Sequence, residues 1–372
     1  MTPDVLSHTP LHDAHCARGA RMAPFAGWLL PIYYSSIIEE HLHTRAAATL
    51  FDTCHMGQFL LKGPNAARDL DRLLTCNITS LPVGRCRYGL LLNDRGTVLD
   101  DSITYRLSHN EFMIVVNAAT TQRDARWIAA HCSSGTSFED ISPITAKFDL
   151  QGPLAADILQ PHLSEPLNSL TYFSFLRATL HGVDVLISRT GYTGEYGFEL
   201  YVAAPFAIPV WNLLLEDPRL KPAGLGARDT LRLECALPLY GHELTEDRSP
   251  AFANLDFAIS AEKDFIGKNA LDQARSDPSQ PRLCGLSFPT RQSPRAGHPV
   301  LHNGSTCGVI TSASFAPSLG HAIALAYLDP ACASCGTHVQ VSSGRALLDA
   351  VVCPLPFYQH GTARRPTVTP TS

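Results

Sequence analysis

The 372-residue chain has no run of about 18 consecutive apolar residues, so no membrane-spanning helix is expected. It has no basic excess either: 29 Lys and Arg stand against 34 Asp and Glu, a net charge of −5. That argues against nucleic acid as a partner, and the lack of a polybasic stretch argues against an anionic membrane surface. The sixteen histidines contain no H-E-x-x-H pattern. The single C-x-x-C, Cys332 with Cys335, has no second pair nearby to complete four ligands, so no metal is expected. Eleven cysteines, an odd number at irregular spacing, suit free thiols in a reducing compartment better than a disulfide framework. The start, Met1-Thr2-Pro3-Asp4, lacks a charged segment followed by an apolar core, so no secretory signal is expected. A bacterial cytoplasmic location is the expectation, and a mature mitochondrial chain would read the same way. No G-x-G-x-x-G strand–helix unit, P-loop or ready catalytic triad is visible.

What is present is an ordinary globular composition, 45% hydrophobic and 17% charged, long enough for two or three domains. Thr9-Pro10 reads as a helix start and Gly19 as its stop. Residues 20–34 read as extended chain with packed aromatics. Ser35 or Ser36 caps a helix over 37–48, which makes His41 and His43 surface residues. The segment 51–61 reads as one strand, 65–74 and 122–131 as helices, and 144–150 and 183–188 as strands. Ser276 to Pro281 is the clearest linker. Beyond it, short β-type runs over 283–288, 299–302, 307–312, 322–328, 337–341 and 346–353 predict a small barrel or sandwich.

The most informative stretch is 86–117. Residues 98–105 alternate, which puts Leu99, Asp101, Ile103 and Tyr105 on one face and Val98, Asp100, Ser102 and Thr104 on the other. Asp100 belongs to the polar face. Asp101 is the one charge on a largely apolar face, where a carboxylate is costly unless paired. It is either a satisfied structural acid or a site residue. Ser108-His109-Asn110 reads as the tip of an antiparallel hairpin, which brings Asn117 across from Asp101. Further on, Gly191 and Gly194 bracket Tyr192 in a tight turn, and Glu199 follows on a strand as a solvent-facing or a site carboxylate. Arg228 and Arg232 share one helix face. They hold either local carboxylates, Asp229 and Glu234, or those of a ligand.

Several stretches together resemble the T-protein family of the glycine cleavage system, the aminomethyltransferases. They are Gly19-Ala-Arg-Met22, Gly27-Trp28, Leu50-Phe-Asp-Thr-Cys-His-Met-Gly57, residues 93–101, Val115-Val-Asn-Ala118, residues 189–199 and residues 226–234. Pro238-Leu-Tyr-Gly-His-Glu243, Phe265-Ile-Gly-Lys268 and Ala324-Leu-Ala-Tyr327 complete the set, in order and over nearly the whole chain. The resemblance implies an α+β fold, a three-domain cloverleaf. Two interleaved α+β folate-binding domains would occupy 1–276, and a C-terminal β-barrel 281–360. It implies transfer of a one-carbon unit from the aminomethyl-lipoyl arm of H-protein to tetrahydrofolate, the co-substrate, with release of ammonia and no metal. By resemblance Asp101 is the essential acid, expected to be ionised. Tyr88, Asn117, Tyr192, Glu199, Arg228 and Tyr358 are folate-site residues.

The chain departs from the family pattern at Thr97, Cys54, Cys235-Ala236 and Ala313. The alternatives within the superfamily are a folate-dependent demethylase, an oxidase-fused transferase and a folate-binding protein without turnover. The oxidase-fused type lacks its flavin unit here. An iron–sulfur assembly factor would need a Lys-Gly-Cys-Tyr-type signature where this chain has Gly226-Ala-Arg-Asp229.

Overall fold

A computed structural model describes residues 6–344 and 346–366. The expected single strand over 51–61 is two strands in two different sheets. Ala48–Asp52 belongs to a six-stranded sheet and Gly57–Lys62 to a five-stranded one. The chain turns at 53–56 because the Asp52 carboxylate accepts the Cys54 N–H (2.9 Å), the Thr9 hydroxyl (2.6 Å) and a hydrogen bond with His15 Nε2 (2.8 Å). Thr9 is therefore occupied with Asp52 and does not cap the helix His12–Ala17. Gly57 then passes where a Cβ would stand 2.7 Å from Val116 and 2.8 Å from Thr121.

The six-stranded sheet runs Phe175–Leu180, Val183–Ser188, Gly197–Ala203, Thr145–Gln151, Ala48–Asp52, Leu220–Ala223. The five-stranded sheet runs Cys86–Leu92, Val98–Ser108, Glu111–Val116, Gly57–Lys62, Ser137–Asp140. The chain enters the first sheet, leaves to build the whole of the second, then returns to finish the first, so the two α+β units interleave.

Ser36 caps the helix Ile37–Ala46 by accepting the Glu39 N–H at 3.2 Å. This helix packs on Leu225–Glu234. The packing corrects the surface reading of His41, which is fully buried between Thr230 Oγ1 (2.8 Å) and Glu234 Oε2 (3.1 Å). His43 is half-buried and meets the Arg219 carbonyl. Residues 21–25 and 28–33 pair as a hairpin rather than as loose extended chain.

The C-terminal strands Arg282–Ser287, Pro299–His302, Ser305–Ala316, His321–Leu328, His338–Ser342 and Leu347–Cys353 close into a barrel. Closure pairs every strand on both sides and leaves no open edge. In His321–Leu328 the small residues Ala322, Ala324 and Ala326 point into the barrel core with Leu328. Ile323, Leu325 and Tyr327 face outward, onto Leu233 of the helix Leu225–Glu234. A strand apolar on both faces is the period-two signature of an element buried on both sides. Here one side is the barrel interior and the other the docking face. No helix among the described residues is long and apolar enough to cross a membrane.

Candidate active site

A cavity of about 1610 Å³ opens where the two sheets, the helix Leu225–Glu234 and one end of the barrel meet. Asp101, Tyr88, Asn117, Tyr192, Glu199 and Arg228 all line it. Asp101 lies mid-strand, opposite Leu90. Its Oδ2 accepts the Tyr88 hydroxyl at 3.0 Å and its Oδ1 the Asn117 side-chain amide at 2.9 Å. Asn117 is the first residue past the strand Glu111–Val116, so the hairpin register delivers it to this place. Burial, and next the Asp100 carboxyl, push Asp101 up to about 7, against the pull of the two hydrogen bonds. The expectation of a fully ionised Asp101 is thereby revised: near neutrality it is divided between its two forms.

Asp100 differs more from its expectation. Its strand face, Val98, Asp100, Ser102 and Thr104, is no solvent face, and Asp100 itself is 0% exposed. The polar residues of that face find their partners on other segments, Ser102 on the Gly89 carbonyl and Asp100 on residues 117–120. Asp100 accepts the backbone N–H of Asn117 (2.9 Å), its side-chain amide (2.8 Å) and the Thr120 hydroxyl (2.8 Å).

The opposite wall is built on the six-stranded sheet. Glu199 is buried; the hydroxyls of Tyr105 (3.1 Å) and Tyr201 (2.9 Å) donate to its Oε2, and Lys147 Nζ lies 3.4 Å from Oε1. Lys147 also bonds Asp149, whose second oxygen takes Arg228 at 2.5 Å. Burial opposes the charge of Asp149, but these two cations outweigh it and hold the carboxyl at about 2. Arg228 lies 5.1 Å from the Tyr192 ring centroid, and the Tyr192 hydroxyl donates to the Pro238 carbonyl. Thus Arg228 reaches across to the sheet. Arg232 is the arginine that binds Asp229 (2.8 Å), and it binds Glu243 as well (3.0 Å). Glu234 serves neither arginine; it pairs with Arg45 and His41.

Tyr358 is not brought together with the others. Its ring lies 4.0 Å from the Arg45 guanidinium, and its backbone N–H donates to Glu234 O. The C-terminal segment reaches the cavity through Leu355, Pro356 and Arg364 instead.

Sequence reading missed Lys147, Asp149, His55 and Phe257. Lys147-Phe148-Asp149 places opposite charges two apart on one strand face, a pattern that reads as an ordinary wet face. His55 lines the cavity with Nδ1 unpartnered, and burial pushes its imidazole down to about 4, so it is neutral. Phe257, 78% exposed, stacks on Tyr88 at 6.0 Å, and no pattern in the chain announces it. The Thr97 departure is absorbed. Asn93 Oδ1 accepts the Thr97 N–H at 3.2 Å, and the turn's left-handed residue is Gly96.

Comparison with known proteins extends the geometry to the whole chain. Residues 11–263 match the GCVT N-terminal domain model, and residues 282–359 match the glycine cleavage T-protein C-terminal barrel domain model. The aminomethyltransferase of Symbiobacterium thermophilum is 44% identical over 366 residues, 95% of this chain and 98% of that one. That of Thermotoga petrophila is 40% identical over 365 residues, covering 97% of this chain and 100% of that one. A crystal structure of glycine cleavage system aminomethyltransferase T from Bartonella henselae superposes with a TM-score of 0.90 at 35% identity, over 95% of this chain and 98% of that one.

Interleaved α+β sheets, a closed barrel and an acid-lined cavity define the class, an enzyme of the aminomethyltransferase type. The chain belongs to the glycine cleavage T-protein family. The family uses tetrahydrofolate.

Proposed function

We propose that the protein takes the one-carbon unit of an aminomethyl group carried on the lipoyl arm of an H-protein and gives it to tetrahydrofolate, releasing ammonia. The observation that carries this reading is Asp101: a carboxyl poised near neutrality, fixed by Tyr88 and Asn117, and open to a cavity large enough for a folate and the end of a lipoyl arm.

The lining fits that occupant. A pterin presents neighbouring N–H donors on one edge, and the chemistry of Glu199 suits them. Both tyrosine hydroxyls are spent on Oε2, which fixes the carboxylate plane and leaves the Oε1 side to a ligand and Lys147. Tyr192 and Arg228 provide an aromatic face and a cation beside it. Arg364 at the rim suits an anionic tail. Bound tetrahydrofolate supplies the amine nitrogens that accept the carbon.

The chain's own residues bind, orient and move a proton. Asp101 takes the proton that leaves the amine nitrogen as the new C–N bond forms. A carboxyl near 7 is a stronger base than an ordinary aspartate and still gives the proton back to water. Tyr88 and Asn117 hold its two oxygens in place, so no reorganisation is needed at the moment of transfer. Neutral His55 adds no charge to the pterin side.

Calorimetric titration with tetrahydrofolate tests the assignment of the cavity. The wild type should bind, and Glu199→Gln should bind about 10- to 100-fold more weakly, as expected for loss of a charged acceptor. A wild-type protein that does not bind tetrahydrofolate, or a Glu199→Gln variant that binds it equally well, would overturn the assignment.

A further inference from the structure

Behind Asp101, on the side away from the cavity, a second pair of carboxyls is buried. Asp100 lies on the strand Val98–Ser108, and Asp124 in the first turn of the helix Thr121–His131; both are 0% exposed. Burial, and next the Asp124 carboxyl, push Asp100 well above the usual carboxylate range, so the two groups lie within interaction range. Asp100 is well supplied with donors from Asn117 and Thr120. Asp124 is poorly supplied: neither of its oxygens completes a well-aligned hydrogen bond with an N–H or O–H donor. Arg123 Nε stands 3.5 Å from Asp124 Oδ1, but the rest of that guanidinium is committed to Leu99 O, Tyr240 and Glu246. A buried carboxylate short of donors is costly, and two neighbouring buried carboxylates resist ionising together. The economical state is one proton held between them.

We propose that Asp100 and Asp124 retain one proton between them at working pH, and that this pair is the positioning device for Asp101, acting through Asn117. The link is geometric. The side-chain amide nitrogen of Asn117 donates to Asp100 Oδ1 at 2.8 Å and to Asp101 Oδ1 at 2.9 Å, one N–H for each. Asp100 thus locks the amide that holds Asp101. Sharing the proton also spreads a single charge over Asp100 and Asp124, away from Asp101. A full charge on Asp100 would push Asp101 further up.

The surrounding groups do not compete for this role. Asp101 faces Tyr88 from the neighbouring strand and Tyr192 from the glycine turn. Burial pushes both phenols upward, so they stay neutral. The pair faces Arg123, Tyr240 and, beyond them, Glu246. Arg123 remains a cation throughout.

The functional half of the proposal rests on Asp101 being the acid of the transfer; the proton-sharing half does not. Two readouts separate them. Infrared spectra of the full-length protein with isotope-labelled aspartate, at about pH 9 where Asp101 is ionised, should retain a carboxylic-acid C=O band. In Asp124→Asn the amide donates to Asp100, which ionises, so the band should vanish. With the charge then confined to Asp100, the acidic limb of kcat/KM should move up by about half a pH unit or more.

Absence of the band from wild type would overturn the shared proton, whatever Asp101 does and whether or not the variant folds. A band that vanishes in Asp124→Asn while the pH profile stays in place would overturn the positioning role. A wild type that shows the band but no folate-dependent transfer would refute the Asp101 reading and leave the proton pair standing.

Discussion

At the scale of single residues, Asp101 is held in a state that solvent-exposed aspartates avoid. Its folded-state carboxyl is raised to about 7 from the ordinary value of 3.8. The raised group favours the protonated form in the fold. Its stabilising share is therefore fully present below about pH 4 and lost as pH rises through about 7. Asp101→Asn should melt at the same temperature as wild type near pH 4 and above it near pH 8.5, by about 1–3 kcal/mol in stability. Thermal denaturation at the two pH values checks this; a variant no more stable at pH 8.5 than wild type contradicts it. In catalysis the sign reverses, because the carboxylate is the working form. The kcat/KM of wild type should rise with pH through about 7 and level off above it, as rates measured from pH 5.5 to 8.5 would show.

The alternation of 98–105 was enough to separate Asp101 from Asp100 and to bring Asn117 opposite. It could not say which face meets solvent, because both faces of this strand are covered. A polar face that turns out to be buried looks like a wet one until its donors are found. Lys147 and Asp149 escaped notice for the same reason: they share a polar strand face that is buried. Tyr358 could be assigned only by resemblance, and its ring is engaged with Arg45 instead.

At the scale of elements, the turn 93–97 decides where the Asp101 strand begins. The sequence showed the turn and the hairpin after it, since turn chemistry is local. It did not show what the turn leans on. Gly96, at φ +70°, stands where a Cβ would lie 2.7 Å from the backbone nitrogen of Leu271, in the helix Lys268–Arg275. Gly96→Val combines left-handed strain with that clash. It should cost about 2 kcal/mol or more and slow the transfer as the strand shifts, which denaturant unfolding and rate measurements together would show. The break at 53–56 was likewise invisible. Period-two patterning runs on through a change of sheet, because each strand keeps its own alternation and only the partners differ.

At the scale of the whole molecule, the barrel is both a fold of its own and a wall of the cavity, through Leu283, Gly285, Cys335, Val352 and Cys353. Its strand spacing was legible; its docking was not, because docking depends on contacts far apart in sequence. Glu243, fully buried, ties the parts together. It takes Arg232 at 3.0 Å and the Thr311 hydroxyl of the barrel at 2.6 Å, while its backbone carbonyl takes the Tyr327 hydroxyl at 3.1 Å. Glu243→Ala would remove the buried counter-charge of Arg232 and leave it only the half-exposed Asp229. The expected cost is about 3–5 kcal/mol, read as a lowered denaturant midpoint, with weakened tetrahydrofolate binding as the barrel wall loosens.

The central claim is that Asp101 serves a folate-dependent transfer from a lipoyl-bound aminomethyl group. Ammonia release from aminomethylated H-protein, with and without tetrahydrofolate, for wild type and for Asp101→Asn, tests it most directly. The account predicts fast release that depends on tetrahydrofolate in wild type, and a fall of about 10²-fold or more in the variant. Release that ignores tetrahydrofolate, or a folded Asp101→Asn variant that works at the wild-type rate, would contradict it.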